Sequence, residues 1–140
     1  MKIKVKKLSP DAILPEYANP GDAGMDIFSN EDYVLKPNER HMFKTGIAVS
    51  IPQGYVSLIW DKSSLAGNYG IKTMAGVIDS GYRGEYFIVL LNTSEKDYKI
   101  NKGDKIAQML IQQVESAQIE EVSDMDDTIR GDGALGSTGK

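Results

Sequence analysis

Short runs rich in β-branched and aromatic residues, separated by turn signals, recur along most of this 140-residue chain. Clear examples are IKVKKL at 3–8, GYVSLIW at 54–60 and EYFIVLLN at 85–92. Turn residues recur about every 8–12 positions, a spacing typical of an all-β sandwich or barrel. The pattern therefore predicts an all-β fold.

One short helix is expected to interrupt the strands. The candidate is SSLAGNYG at 63–70, with Ser63 or Ser64 as its N-cap. The segment KIAQMLIQQV at 105–114 is compatible with a helix by composition, but turn residues directly precede it. We therefore interpret that segment as a strand.

The C-terminal end of the chain differs from the rest, because residues 124–140 lose apolar periodicity. We predict a β-barrel domain at 1–123 and a flexible C-terminal arm at 124–140. The arm ends in RGDGALGSTGK, which looks like a phosphate-binding loop. A Walker A loop needs glycine where this chain has Ala134, as well as a following helix, so that interpretation fails.

Composition narrows the possible functions. The chain has no cysteine and one histidine, His41, which excludes thiolate zinc sites and nucleophile schemes that need a second imidazole. The net charge is −4 without a large basic patch, so binding to a nucleic-acid backbone is not expected. No apolar run approaches the roughly 20 residues of a membrane span. We expect a cytoplasmic protein without membrane contact.

The segment GVIDSGYRGEYF at 76–87 is the most informative for chemistry. Ser80 and Gly81 suit a two-residue hairpin turn, which would make Asp79 and Tyr82 cross-strand neighbours. A partly desolvated carboxylate at Asp79 could act as a general base for water. The alternative is that Asp79 only caps its own turn.

Two further segments allow both a functional and a structural interpretation. DKSSLAG at 61–67 places a lysine and two hydroxyls where a helix begins, which suits either a phosphate site or a plain N-cap. NPGDAGMDIFS at 19–29 contains Asp22 and Asp26, which suit either Mg²⁺ or an ordinary loop.

Taken together and in order, five segments resemble the motifs of the trimeric dUTPase family over nearly the whole chain. They are AGMDIFS at 23–29, DKSSLAG at 61–67, GVIDSGYRGE at 76–85, KGDKIAQML at 102–110 and RGDGALGSTG at 130–139. The resemblance implies a β jelly roll assembled as a homotrimer, with active sites shared between subunits. It also implies hydrolysis of dUTP to dUMP and pyrophosphate with Mg²⁺.

The resemblance implies a role for each residue that matches a motif. Asp79 would activate the attacking water, Tyr82 would pack against deoxyribose, and Asp26 would contact Mg²⁺ through water. The segment Gly76, Val77 and Ile78 would read the edge of uracil. Phosphate contacts would come from Lys62, Ser63, Ser64 and Gln108, and the closing arm would contribute Arg130, Leu135, Gly136, Ser137 and Thr138.

Three positions depart from the family pattern. The third motif often carries a second aspartate where this chain has Gly81, a turn position at which glycine is easily accommodated. The second motif usually carries arginine where this chain has Lys62, which keeps the charge but loses the bidentate fork. The fifth motif usually carries an aromatic residue where this chain has Leu135, so stacking over uracil would be lost.

Two other functions remain as alternatives. The dCTP deaminases share the fold and a similar SSLA segment, but the position of their catalytic glutamate falls on Val89 here. A non-catalytic relative that binds nucleotide or a protein partner would act as a regulator, although Asp79 and Tyr82 are both present.

Overall fold

The computed structural model of the chain describes residues 1–134. Eleven strands and one short helix make up this part of the chain. The strands are β1 (Lys4–Lys7), β2 (Met25–Phe28), β3 (Tyr33–Leu35), β4 (Arg40–Lys44), β5 (Ile47–Ser50), β6 (Tyr55–Trp60), β7 (Ile71–Met74), β8 (Val77–Asp79), β9 (Phe87–Asn92), β10 (Tyr98–Ile100) and β11 (Lys105–Gln113). The prediction of an all-β fold with one short helix is confirmed.

All the strand pairs within residues 1–134 are antiparallel, and they form two larger sheets and two separate two-stranded pairs. The larger sheets have the orders β2-β11-β6-β8 and β4-β9-β7, and the pairs are β1-β5 and β10-β3. None of these neighbouring strands of residues 1–134 is consecutive in the chain, so the connections cross repeatedly between sheets. The strand predicted at 105–114 is confirmed as β11, which lies inside the four-stranded sheet.

The core lies between the sheets and follows the two-residue period of the strands. In β9, Ile88, Leu90 and Asn92 are buried, while the alternate residues are partly exposed. Phe43 from β4 and Ile27 from β2 are fully buried in the same core. One face of each sheet is thus apolar, which leaves the strand ends and loops free to carry polar groups.

The N-cap of the helix α1 (Ser63–Tyr69) lies one residue before the positions that the sequence suggested. Lys62 is the N-cap, in an extended conformation and without a side-chain capping hydrogen bond. The prediction of Ser63 or Ser64 as N-cap is therefore wrong. Both serines lie in the first turn, because the chain already turns at Lys62, whose carbonyl accepts the Ala66 N–H.

The predicted hairpin across Ser80 and Gly81 is also wrong, although the turn itself is confirmed. The Tyr82 N–H donates to the Asp79 carbonyl at 3.1 Å, but β8 pairs with β6 and β9 pairs with β4 and β7. The chain changes sheet at Ala75 and Gly76, whose φ angles are 63° and 121°. That crossover puts β8 in the other sheet, so Asp79 and Tyr82 are turn neighbours and not cross-strand neighbours.

After β11, residues 114–134 form neither helix nor strand, and all of them except Gly133 are exposed. Large apolar side chains in this stretch, such as Ile119 and Met125, lie almost entirely in solvent. Within residues 1–134, the one helix is too short to cross a membrane. The division into a domain at 1–123 and an arm at 124–140 stays a prediction.

Candidate active site

A single row across the four-stranded sheet brings three of the predicted motifs together. In this row Gln108 of β11 lies opposite Asp26 of β2 on one side and opposite Trp60 of β6 on the other. Lys62 follows Trp60 by two residues at the start of α1. Segments far apart in the sequence therefore place an acid, an amide and a cation at one end of the sheet.

Asp26 is the electrostatic centre of this row. Its side chain is buried, yet Lys62 Nζ donates to Oδ1 at 2.7 Å. Lys105 Nζ lies 2.7 Å from Oδ2 as an ion pair, without the angular geometry of a hydrogen bond. Burial tends to raise the pKa of Asp26, but the two lysines outweigh it and hold that pKa below its usual value. The carboxylate is therefore ionised at neutral pH.

Gln108 is held in place from two sides. Its Nε2 donates to the Asp61 carbonyl at 2.9 Å. On the other side, a Cβ at Gly24 would meet the side chain of Gln108, with Cβ to Cβ at 3.2 Å. Glycine at position 24 therefore leaves the space that the amide occupies.

A small polar cavity of about 240 Å³ opens beside this row. Its lining includes Asp22, Asp26, Lys62 and Gln108. Within residues 1–134, no group of three or more acidic or histidine side chains is arranged to hold a metal ion by itself. Asp22 and Asp26 both line this cavity, so carboxylates lie beside the space that a metal-bound water could occupy, although Asp26 Oδ2 itself is buried beside Lys105.

The second group of predicted residues lies on β8 and the turn that follows it. Gly76 has a φ of +121°, and a Cβ there would lie 2.7 Å from the carbonyl oxygen of Ile59. The Gly76 carbonyl accepts the Ile59 N–H at 2.8 Å, which fixes this segment against β6. Val77 is exposed, and the Tyr82 hydroxyl donates to the Glu85 carbonyl at 3.0 Å.

Asp79 is exposed at the end of β8, so the partial desolvation expected from the sequence is not present in a single chain. Tyr82 is 43% exposed and its ring lies 6.1 Å from the ring of Tyr86. The aromatic face and the carboxylate are both open to a ligand or to another chain.

Asp79 and Lys62 lie apart within one chain. Asp79 is paired with Val56, and Trp60, which borders the first group, lies four residues further along β6. At roughly 3.2–3.4 Å per strand residue, this corresponds to about 13 Å along the strand. Asp79 and Lys62 therefore occupy different ends of the sheet.

Among the predicted arm residues, Arg130 lies in the part of the chain that the structure describes. It is exposed, and its Nε donates to the Gly133 carbonyl at 2.9 Å in a local turn. The other predicted arm residues lie outside the described residues: Leu135, Gly136, Ser137 and Thr138.

Two residues near the site were missed by the sequence reasoning. Lys105 pairs with Asp26, and Asp61 holds both Gln108 and Thr73. Both lie inside segments that resemble family motifs, Asp61 in DKSSLAG and Lys105 in KGDKIAQML, and this was the available signal. The partner of Lys105 could not be inferred from it, because that contact depends on the pairing of β11 with β2.

Replacement of Gly76 by alanine tests how tightly this backbone segment is constrained. We expect Gly76→Ala to lower kcat/KM for the nucleotide that the motif resemblance implies by about tenfold, since the strained φ and the contact with the Ile59 carbonyl would displace the segment. Gly81→Ala is the matched control, because a Cβ there meets nothing within 4 Å. Equal activity of both variants in steady-state assays would contradict the expectation.

The comparison with known protein families decides the relationship. The sequence profile of the dUTPase family matches residues 10–139. The chain belongs to the dUTPase family. A deoxyuridine 5'-triphosphate nucleotidohydrolase of Thermobifida fusca is 45% identical, covering 99% of this chain and 79% of that protein. The enzyme of the same name from Paramecium bursaria Chlorella virus 1 is 46% identical, with 96% of each chain covered.

Solved structures show the same fold for this dUTPase. A mutant dUTPase of Staphylococcus bacteriophage 80alpha, solved with dUpNHpp, has a TM-score of 0.95 at 32% identity and covers 99% of both chains. A mutant dUTPase from phage phi11 of S. aureus has a TM-score of 0.85 at 31% identity, covering 91% of this chain and all of that one. The phi11 structure describes coordination of a structural Mg(II) ion in that protein. The dUTPase-type jelly roll implied by the sequence motifs is thus confirmed.

Proposed function

We propose that this chain, a dUTP diphosphatase by family, hydrolyses dUTP to dUMP and pyrophosphate by attack of water on the α-phosphate. The observation that carries the proposal is the row in which Asp26, Gln108 and Lys62 meet, because it gathers three family motifs into one charged, phosphate-sized site. The reaction would supply dUMP and keep uracil out of DNA, and the proposed setting is the cytoplasm.

Asp79 is the proposed general base. Its backbone is fixed on both sides, by pairing of β8 with β6 and by the hydrogen bond from Tyr82. Its carboxylate is exposed and free to meet a water molecule beside a bound α-phosphate. A nucleotide that covers the turn would exclude bulk solvent, which makes the carboxylate a better proton acceptor.

The nucleoside would be recognised along β8. The main chain of Gly76, Val77 and Ile78 would offer donors and acceptors to the edge of uracil, and its fixed position would leave no space for the methyl group of thymine. The exposed ring of Tyr82 would pack against the deoxyribose and leave no room for a ribose 2′-hydroxyl.

The phosphate chain would lie against the first group of residues. Lys62 supplies the positive charge, Gln108 an amide, and Ser63 and Ser64 hydroxyls at the start of α1. Such a site acts by positioning and by neutralising charge that is already present on the substrate.

Mg²⁺ fits this site when it is carried by the phosphates. Magnesium keeps several waters and needs only one or two carboxylates besides phosphate oxygens. Asp26 would contact it through water, since Lys62 and Lys105 already neutralise that carboxylate. When bound, the ion would neutralise phosphate charge and orient the chain for attack.

The C-terminal arm would close over the nucleotide. In this proposal Arg130 contacts the terminal phosphates, while Leu135, Gly136, Ser137 and Thr138 cover the base and the phosphates. Within residues 1–134, the hydrogen bond of the Arg130 side chain is to the Gly133 carbonyl in a local turn, so its guanidinium could move to bind phosphate.

A homotrimer with shared sites would account for the separation of Asp79 from Lys62 within one chain. One chain places Asp79 and Lys62 about 13 Å or more apart along the sheet, at the usual rise per strand residue. In a closed ring, the β8 end of one subunit would face the Lys62 end of the next. Each site would then be completed by the arm of the third subunit.

The direct test is release of pyrophosphate from dUTP, compared with dCTP, dTTP and UTP in the presence of Mg²⁺. We expect turnover of dUTP to be far faster than that of the other three nucleotides. Formation of a deoxyuridine nucleotide from dCTP would instead indicate a deaminase, although Val89 occupies the position of the required glutamate. Tight dUTP binding without turnover would indicate a non-catalytic regulator.

A further inference from the structure

Asp61 directly precedes Lys62, and both oxygens of its carboxylate have hydrogen-bond or ion-pair partners. Its Oδ1 accepts hydrogen bonds from both the backbone N–H of Thr73, at 2.6 Å, and the hydroxyl of Thr73. Its Oδ2 pairs with Lys72 Nζ at 3.0 Å. Burial tends to raise the pKa of Asp61, but the hydrogen bonds from Thr73 and the charge of Lys72 outweigh it and hold that pKa below its usual value.

The main chain at Asp61 positions the residues that are proposed to contact phosphate. The Asp61 carbonyl accepts Gln108 Nε2 at 2.9 Å, and the next residue, Lys62, donates to Asp26. A shift of Asp61 would therefore move the amide and the cation that are proposed to contact phosphate.

The side chain of Asp61 holds the strand that leads into the segment proposed to read uracil. Thr73 lies on β7, two residues before the crossover at Ala75 and Gly76. The far side of that crossover is fixed by the hydrogen bond from Ile59 to the Gly76 carbonyl. The near side is fixed by Asp61 through Thr73, so both ends of the crossover are attached to the segment Ile59–Asp61.

We propose that Asp61 is a positioning residue that, through Thr73, fixes the crossover leading into the uracil-reading segment of its own chain and thereby sets discrimination between dUTP and dTTP. This inference rests on the proposed function for the identity of the substrates. The main chain of Gly76, Val77 and Ile78 can exclude the methyl group of thymine only while its position is fixed. In a rigid site, a single methyl group can change specificity by about 10–200-fold.

The test uses Asp61→Ala, Asp61→Asn and Lys72→Ala in the full chain, with kcat/KM measured for dUTP and for dTTP. Asp61→Ala is expected to lower the ratio of the two values by about tenfold, since it removes both hydrogen bonds from Thr73. Asp61→Asn keeps an oxygen that can accept both hydrogen bonds, so the ratio should stay within about threefold of wild type. Lys72→Ala removes only an exposed ion pair and should leave the ratio unchanged.

The ratio separates positioning from stability, because both values come from one preparation and the fraction of folded enzyme cancels. An unchanged ratio in a folded Asp61→Ala variant would overturn the proposal. If that variant does not fold, Thr73→Val takes its place, since it removes the hydroxyl and keeps the backbone donor. It should lower the ratio by about threefold, and no change would overturn the proposal. Wild-type protein that fails to hydrolyse dUTP would instead refute the proposed function.

Discussion

Asp79→Asn is expected to lower kcat for dUTP hydrolysis by about 10²–10⁴-fold, the range that a general base contributes. The amide keeps the size of the side chain but cannot take a proton from water. Because Asp79 is exposed and its backbone is fixed by β8 and the following turn, the substitution should leave the fold intact. Initial rates of pyrophosphate release give kcat, and calorimetric titration with dUTP gives affinity, which should change little.

Asp104→Asn is a matched control for this substitution. Asp104 is an acid in an exposed turn, where its Oδ2 accepts the Asn101 N–H, and it lies outside the proposed catalytic machinery. Its replacement should leave kcat within about twofold of wild type, as for most surface substitutions. Near-normal kcat in Asp79→Asn would show that another group activates the water.

Lys62→Met should lower kcat/KM for dUTP by about a hundredfold through two connected effects. The substitution removes the cation that would face the phosphates. It also leaves the buried Asp26 carboxylate with Lys105 as its remaining ion-pair partner, so the side chain that would meet metal-bound water is less firmly positioned. Steady-state kinetics over a range of dUTP concentrations would separate the loss in KM from the loss in kcat.

Two further substitutions make the Lys62 result specific. Lys62→Arg should match or exceed wild-type kcat/KM, because a guanidinium can bind phosphate oxygens with two parallel hydrogen bonds. Lys102→Met breaks a surface ion pair with Asp11 and should have little effect. A Lys62→Met enzyme as active as the Lys102→Met enzyme would show that Lys62 does not contact the phosphates.

Local patterns in the sequence were sufficient to predict most of the fold. GYVSLIW and KIAQMLIQQV are bounded by turn residues, and both form strands where expected, as β6 and β11. The pairing of β8 was not predictable in this way. It depends on the sheet crossover at Ala75 and Gly76, and a positive φ at an alanine cannot be predicted from the residue type.

The residues of the candidate site were likewise predictable only in part from the sequence. The motif residues could be named because a family resemblance carries them, and the structure places Asp26, Lys62 and Gln108 together. Their partners could not be named, since Lys105 reaches Asp26 only through the register of β11 against β2. The exposure of Asp79 in a single chain was also not predictable from the sequence. In the proposed trimer, a neighbouring subunit and a bound nucleotide would bury this side chain.

The central claim is that each site combines Asp79 of one subunit with Lys62 of another. The most direct test mixes Asp79→Asn and Lys62→Met chains by refolding them together at equal amounts, after each has been assayed alone. In a shared-site trimer about a quarter of the sites regain both intact residues, so the mixture should recover about a quarter of wild-type activity. Activity no higher than the average of the two variants would contradict the shared site and place both residues in the same chain.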